Sequence, residues 1–283
     1  MLIFKTKKAL GAHISELKSK GKRIGLIPTM GALHQGHLSL LDYIQTYCDI
    51  RICSIFVNPT QFNNAEDLAK YPRPVERDIE VLKKAGCDVL FLPEVDEMYG
   101  KDEQWEIDLG NLDSLLEGAF RAGHFQGVTQ IVHKLFSLVA PDVACFGQKD
   151  YQQYRVIEKM VELFNLPVLL VMCPIIREAD GLAMSSRNVR LSGEGRERAL
   201  ALYDSLHYFR QHVSSTDFRK VKKEAAERLK ASEGVDFEYF EVRHTDDLET
   251  IEEVELNMRV IALAAAWVDG VRLIDNMIVD IAK

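Results

Sequence analysis

Up to residue 175 the chain alternates short β-branched runs with amphipathic stretches, and this alternation restricts its fold more than any other feature. "RIGLIP" (23–28), "IRICSIFV" (50–57), "DVLFLP" (88–93), "DVACFG" (142–147) and "LPVLLVMCP" (166–174) each have the length and texture of a buried strand. Helical patterns lie between most of them: "HLSLLDYIQTY", "VERDIEVLKKAG", "VTQIVHKLFSLVA" and "DYQQYRVIEKMVELFN". Strands that alternate with helices are joined by parallel crossovers, so the expected fold class is α/β, a doubly wound, Rossmann-like parallel sheet. After Arg177 the texture changes. "SGEGRERALALYDSLHYFRQHV" and "DFRKVKKEAAERLKAS" read as two surface helices, and "FEYFEVRH", "RVIALAAAWVDG" and "VRLIDNMIV" as antiparallel strands. The expected organisation is an N-terminal domain over 1–175 and a smaller α+β C-terminal domain over 176–283.

A chain of 283 residues with 47% apolar side chains fills a core without covalent staples. Its five cysteines are odd in number and scattered, with no C-x-x-C pair, so neither a disulfide framework nor a zinc site is expected. "MLIFKTKKALGAH" lacks the apolar core of a signal peptide, and "LPVLLVMCPII" is far shorter than the ~20 residues of a membrane helix. The expected location is cytoplasmic. A net charge of −8 disfavours nucleic acid as a partner, while a small anionic ligand remains compatible with local cationic groups.

Ligands of doubly wound sheets bind beyond the carboxyl ends of the strands, and "PTMGALHQGHLSLL" (28–41) follows the first clear strand. Gly31 and Gly36 allow close backbone approach. His34 and His37 share one face near a helix N-terminus, where free N–H groups and imidazole donors attract phosphate. Neither G-x-G-x-x-G nor a P-loop motif occurs. H-x-x-H by itself is a weak signal, equally compatible with surface histidines, and no third ligand completes a metal site. "FVNPTQF" offers Asn58 and Gln61 for hydroxyl and carboxylate recognition. "FGQKDYQQ" offers Gly147 for a close turn, Lys149 as a point charge, Asp150 for a ribose or metal contact, and Gln153 one turn further on. "READGLAMSSRNVRLS" (177–192) lies at the expected domain boundary, where two serines and an arginine suit closure over a triphosphate; its plainer reading is a linker.

H-x-G-H after the first strand, with a later M-S-x-[KR]-type loop, resembles the nucleotidylyltransferase superfamily. Within it, "PTMGALHQGHLSL", "SIFVNPTQF", "YPR", "FGQKDYQQ" and "READGLAMSSRN", in this order over essentially the whole chain, closely resemble the pantothenate synthetase family, the pantoate–β-alanine ligases. The resemblance implies ATP-dependent, AMP-forming ligation of (R)-pantoate and β-alanine to pantothenate through an enzyme-bound pantoyl adenylate, with Mg²⁺, in a homodimer whose C-terminal domain acts as a lid. It implies ATP binding by Met30, Gly31, Ala32, Leu33, His34, Gln35, Gly36 and His37. Gly147, Gln148, Lys149, Asp150, Ile176, Met184, Ser185, Ser186 and Arg187 would join them. Catalysis would rest on His37, His34 and Lys149. Gln61 and Gln153 would bind pantoate, Gln61 would also border β-alanine, and Pro28, Met30, Ile131 and Val132 would suit the gem-dimethyl group. Arg190 departs from the aromatic residue common in the family's "RNxYLS", outside the ligand positions. The alternative within the superfamily is an adenylyltransferase acting on a phosphorylated acceptor. Against it stands the neutral polar set Asn58, Gln61 and Gln153, which suits a hydroxy acid better than a second phosphate.

Overall fold

A computed structural model describes residues 1–101, 103–213 and 218–281. The chain divides into two compact units, Met1–Gly147 with Gln152–Pro174, and Gln148–Tyr151 with Ile175–Lys283. The first contains β1 (Leu2–Phe4), α1 (Lys7–Ser19), β2 (Ile24–Thr29), α2 (Gln35–Ile44), β3 (Ile50–Ile55), α3 (Ala65–Lys70), α4 (Val75–Lys84), β4 (Val89–Phe91), α5 (Val95–Met98), α6 (Leu116–Phe120), α7 (His124–Val139), β5 (Val143–Gly147), most of α8 (Tyr151–Leu163) and β6 (Leu169–Cys173). The sheet is parallel throughout, in the order β1-β4-β3-β2-β5-β6.

Strand pleating sends alternate residues to opposite faces, and both faces are apolar. Ile24 and Leu26 of β2 join α1, α7 and α8 through Leu10, Ile14, Val128, Ile131 and Ile157. Ile27, one residue beyond Leu26 and so on the opposite face, joins α2 and α4 through Leu40, Leu41, Ile44 and Leu82. Helices therefore cover both faces, as the near-continuous hydrophobic runs require. From β2 the chain builds β3 and β4 on one side, whereas β5 and β6 lie on the other. The carboxyl ends of β2 and β5 are thus the point where strand order reverses, the usual position of a ligand crevice in open α/β sheets. The three-residue β1, with Leu2 and Ile3 exposed, and α1 were not foreseen, because a strand so short carries no periodicity.

The second unit contains α9 (Gly193–His212), α10 (Phe218–Ala231), β7 (Asp236–His244), β8 (Arg259–Val268) and β9 (Val271–Asp280). The strands form an antiparallel sheet in sequence order. The residue that opens the expected second helix, Asp217, lies outside the described residues. Both helices are more than surface cover. Leu202, Leu206 and Phe209 of α9 and Val221, Ala225 and Leu229 of α10 share a buried cluster with Phe240, Val242, Val260 and Ala262.

Candidate active site

In the first unit the segment after β2 is fixed residue by residue. Gly31 has φ +82°, and a Cβ there would lie 3.0 Å from both Asp78 Oδ2 and Ile55 Cγ2, so glycine is required for the turn. Gly31 N donates to Thr29 Oγ1 (3.3 Å), Ala32 N to Asp78 Oδ2 (2.7 Å) and Leu33 N to Asp78 Oδ1 (2.8 Å). Asp78 comes from α4 and is 1% exposed. Burial raises its carboxyl above the ordinary range, against the amide hydrogen bonds of Leu33 and Ala32 and the charge of Arg77.

The two histidines cap their own helix. His34 is the N-cap of α2, with Nδ1 accepting from Gly36 N (3.1 Å), while His34 N donates to His37 Nδ1 (3.4 Å). The rings stand 4.1 Å apart between centroids. A ring nitrogen that accepts an N–H carries no proton, so this arrangement places the hydrogen of each neutral ring on Nε2 and makes that atom a donor. This corrects one expectation. Backbone N–H groups of residues 31–34 and 36–38 are engaged by Thr29, Asp78 and the capping histidines or the His34 carbonyl. These amides are therefore already paired within the loop and do not form an open cradle of donors.

Beyond β3, the short 3₁₀ turn Pro59–Gln61 places Gln61, 7% exposed, with Nε2 3.1 Å from Met30 Sδ. Asn58, expected as a ligand-binding group, is fully occupied within the protein. Nδ2 donates to Gly127 O (3.0 Å) and Gln61 Oε1 (3.2 Å), and Oδ1 accepts from Thr60 Oγ1 (3.1 Å) and Tyr99 OH (2.6 Å). With two hydrogens and two lone pairs used, its amide has no capacity for a substrate. Gly127 permits this packing: a Cβ would lie 2.4 Å from Thr60 O and 2.6 Å from Gln61 N. His124, on the same helix, meets the Gln61 carbonyl through Nδ1 at 2.8 Å, and Arg121 Nη1 lies 3.2 Å from its Nε2. Ile131 and Val132 are buried on α7, Pro28 and Met30 are half-buried beside the end of β2, and Gln153 is half-buried on α8.

In the second unit, Gln148–Asp150 form a 3₁₀ turn held from β9 by Asn276. Its Nδ2 donates to the carbonyls of Gln148 and Lys149, both at 2.9 Å, and its Oδ1 accepts from Gln148 Nε2 at 3.1 Å. Lys149 Nζ lies 3.8 Å from Asp150 Oδ1, and Asp150 is exposed. The "MSSRN" segment is no linker. Arg177 pairs with Ala183 in an antiparallel bridge, Met184 N donates to Ile176 O (3.1 Å), and Ser185 caps the 3₁₀ turn Ser186–Arg190. Arg177 binds Asp275 through both Nη atoms, at 2.6 and 2.9 Å. Burial raises the Asp275 carboxyl, and the Arg177 hydrogen bonds and charge oppose that rise.

Asp78, Tyr99, His124, Asp275 and Asn276 were missed by sequence reasoning. Each acts on a motif distant in sequence, so no spacing signals it. Among the described residues, no group of three or more His, Cys, Asp or Glu is placed to hold a metal ion, and no helix is long and apolar enough to cross a membrane.

The family model described as pantoate-beta-alanine ligase matches residues 2–278. The chain belongs to the pantoate-beta-alanine ligase family. Relatives named pantothenate synthetase include those of Cytophaga hutchinsonii, 43% identical over 95% of this chain and 96% of theirs, and Christiangramia forsetii, 44% identical over 98% and 99%. Among solved structures of the family, pantothenate synthetase from Thermus thermophilus superposes with a TM-score of 0.89 at 39% identity, covering 98% of this chain and 99% of that one. The ligase from Francisella tularensis, described as complexed with beta-gamma ATP and beta-alanine, gives 0.80 at 32% identity, covering 98% and 97%.

Proposed function

We propose that the chain condenses (R)-pantoate with β-alanine at the expense of ATP, releasing AMP and pyrophosphate through a bound pantoyl adenylate. Family membership over nearly the whole chain supports the reaction. The observation that carries the chemistry is the paired imidazoles at the carboxyl end of β2, each accepting a backbone N–H at Nδ1, which leaves Nε2 as the donor of the neutral ring. The pantoate carboxylate attacks the α-phosphorus, the bond to the pyrophosphate oxygen breaks, and negative charge grows on the leaving group. His34 and His37 donate to that charge, with Lys149 and Arg187 as proposed cationic partners, so stabilisation is greater in the transition state than in the ground state. Pyrophosphate leaves readily, so His37 acts as a charge-stabilising donor and no protein nucleophile is needed. The β-alanine amine then attacks the acyl carbon and AMP departs.

The remaining proposed ATP residues are Met30 to Gly36, Gly147, Gln148, Asp150, Ile176, Met184, Ser185 and Ser186. Gln61 and Gln153 are proposed for pantoate, with Gln61 also beside β-alanine. Magnesium typically keeps several waters and binds through one or two carboxylates plus substrate phosphates, and the exposed Asp150 fits that donor set. When bound, the ion would neutralise phosphate charge. A second copy of the chain is the proposed macromolecular partner, supported by the edge position of β6 and the exposure of Leu163, Phe164 and Leu169. A cytoplasmic location is proposed from the biosynthetic role.

Labelled pyrophosphate should exchange into ATP with pantoate and magnesium present and β-alanine omitted. Net AMP formation should require β-alanine and rise with pH as its amine loses a proton, until another group titrates. Exchange supported only by a phosphorylated acceptor would replace the ligase with an adenylyltransferase.

A further inference from the structure

Gln61 presents a primary amide whose two ends are chemically opposite, and only one orientation suits an anionic acid. The surrounding atoms determine that orientation in three steps. Gly127 O accepts only, so the Asn58 atom 3.0 Å away is Nδ2. The second hydrogen of Nδ2 then faces Gln61 at 3.2 Å, and the atom it meets is Oε1. Gln61 Nε2 is thereby turned the other way, toward Met30 Sδ at 3.1 Å. A thioether sulfur is a weak acceptor, so this amine gains much from a carboxylate or hydroxyl oxygen. Asn58 itself is steadied at Oδ1, where Tyr99 OH approaches to 2.6 Å and the exposed Thr60 hydroxyl to 3.1 Å.

We propose that Tyr99 is a positioning residue for acid recognition: its hydroxyl holds Asn58, and Asn58 holds the Gln61 amide with its NH₂ group toward the substrate. The inference rests on the reading of Gln61 as a pantoate ligand. Burial pushes the Tyr99 hydroxyl up to about 12, with the charge of Glu103 adding to it and the hydrogen bonds of Thr60 and Asn58 opposing. Tyr99 therefore keeps its proton and remains a donor wherever the reaction runs. Its ring packs against Phe56, centroids 6.1 Å apart, with Lys134 Nζ 5.2 Å from its centre. These contacts survive removal of the oxygen alone.

Tyr99→Phe is the direct test. Pantoate binding to the full chain, measured by calorimetry with a non-hydrolysable ATP analogue and magnesium, should weaken about fivefold, the effect of one neutral hydrogen bond. Affinity for the analogue should stay at its wild-type value, and the thermal midpoint should fall by no more than the few degrees that one lost hydrogen bond accounts for. In a Gln61→Ala background, adding Tyr99→Phe should change pantoate affinity no further, because its only route of action is gone. The inference is overturned if Tyr99→Phe leaves pantoate binding intact while Gln61→Ala weakens it, or if the two losses add in full. Pantoate affinity unmoved by Gln61→Ala would instead remove the assignment of Gln61, and this inference with it.

Discussion

Asp78 shows how a residue outside every motif sets the behaviour of one inside. Its carboxylate receives the amides of Ala32 and Leu33, and burial outweighs those bonds in setting its protonation. A carboxyl whose folded pKa lies above its unfolded value contributes stability that is fully present below the unfolded pKa, about 3.9, and is lost as pH rises through the folded one. Relative to Asp78→Asn, which does not titrate there, the wild type should gain stability as pH falls from 7 toward 4. Urea unfolding of both proteins across that range measures it; a wild type that loses relative stability on acidification would mean that the amide bonds prevail. Asparagine offers one oxygen to two amides, so turnover should also fall, by about tenfold for one lost charge-assisted bond in the loop. The sequence exposed the histidines because glycines flank them and a strand precedes them. It concealed Asp78, one acidic residue among several in "VERDIE", because only the fold brings α4 beneath the loop.

At the scale of elements, the contact of α7 with the turn Pro59–Gln61 depends on Gly127. A methyl group there would meet backbone atoms of Thr60 and Gln61, which cannot swing aside as a side chain does. Gly127→Ala should destabilise by roughly 1–3 kcal/mol through overpacking. The thermal midpoint should fall by several degrees, and pantoate binding should weaken as well, because the Gly127 carbonyl orients Asn58. A midpoint within a degree of wild type would contradict the close contact. The elements themselves were largely legible. Strands buried on both faces read as unbroken apolar runs, and amphipathic helices between them imply parallel crossovers. The pairing order was not legible, since β4 next to β1 is a tertiary choice that no local pattern encodes. Nor was the folded form of residues 176–190, whose bonds run to Asp275 and Asn276, roughly a hundred residues on.

At the scale of the molecule, the edge strand β6 opens on an exposed apolar residue, Leu169, and an edge of this kind is a ready template for pairing with another chain. If β6 meets a second copy, light scattering should give twice the 32.2 kDa chain mass, and Leu169→Lys should return it to the single-chain value. A wild type that scatters as one chain would remove the dimer. The second unit has a different peculiarity: four of its residues, Gln148–Tyr151, come from the middle of the sequence. The carbonyls of Gln148 and Lys149 wait for Asn276, which is 128 positions from Gln148. At about 5–20 residues per second of synthesis, that interval is on the order of ten seconds. A chain emerging from the ribosome can therefore complete its parallel sheet while the turn bearing Lys149 still lacks its support, and gains that turn only when β9 has been delivered.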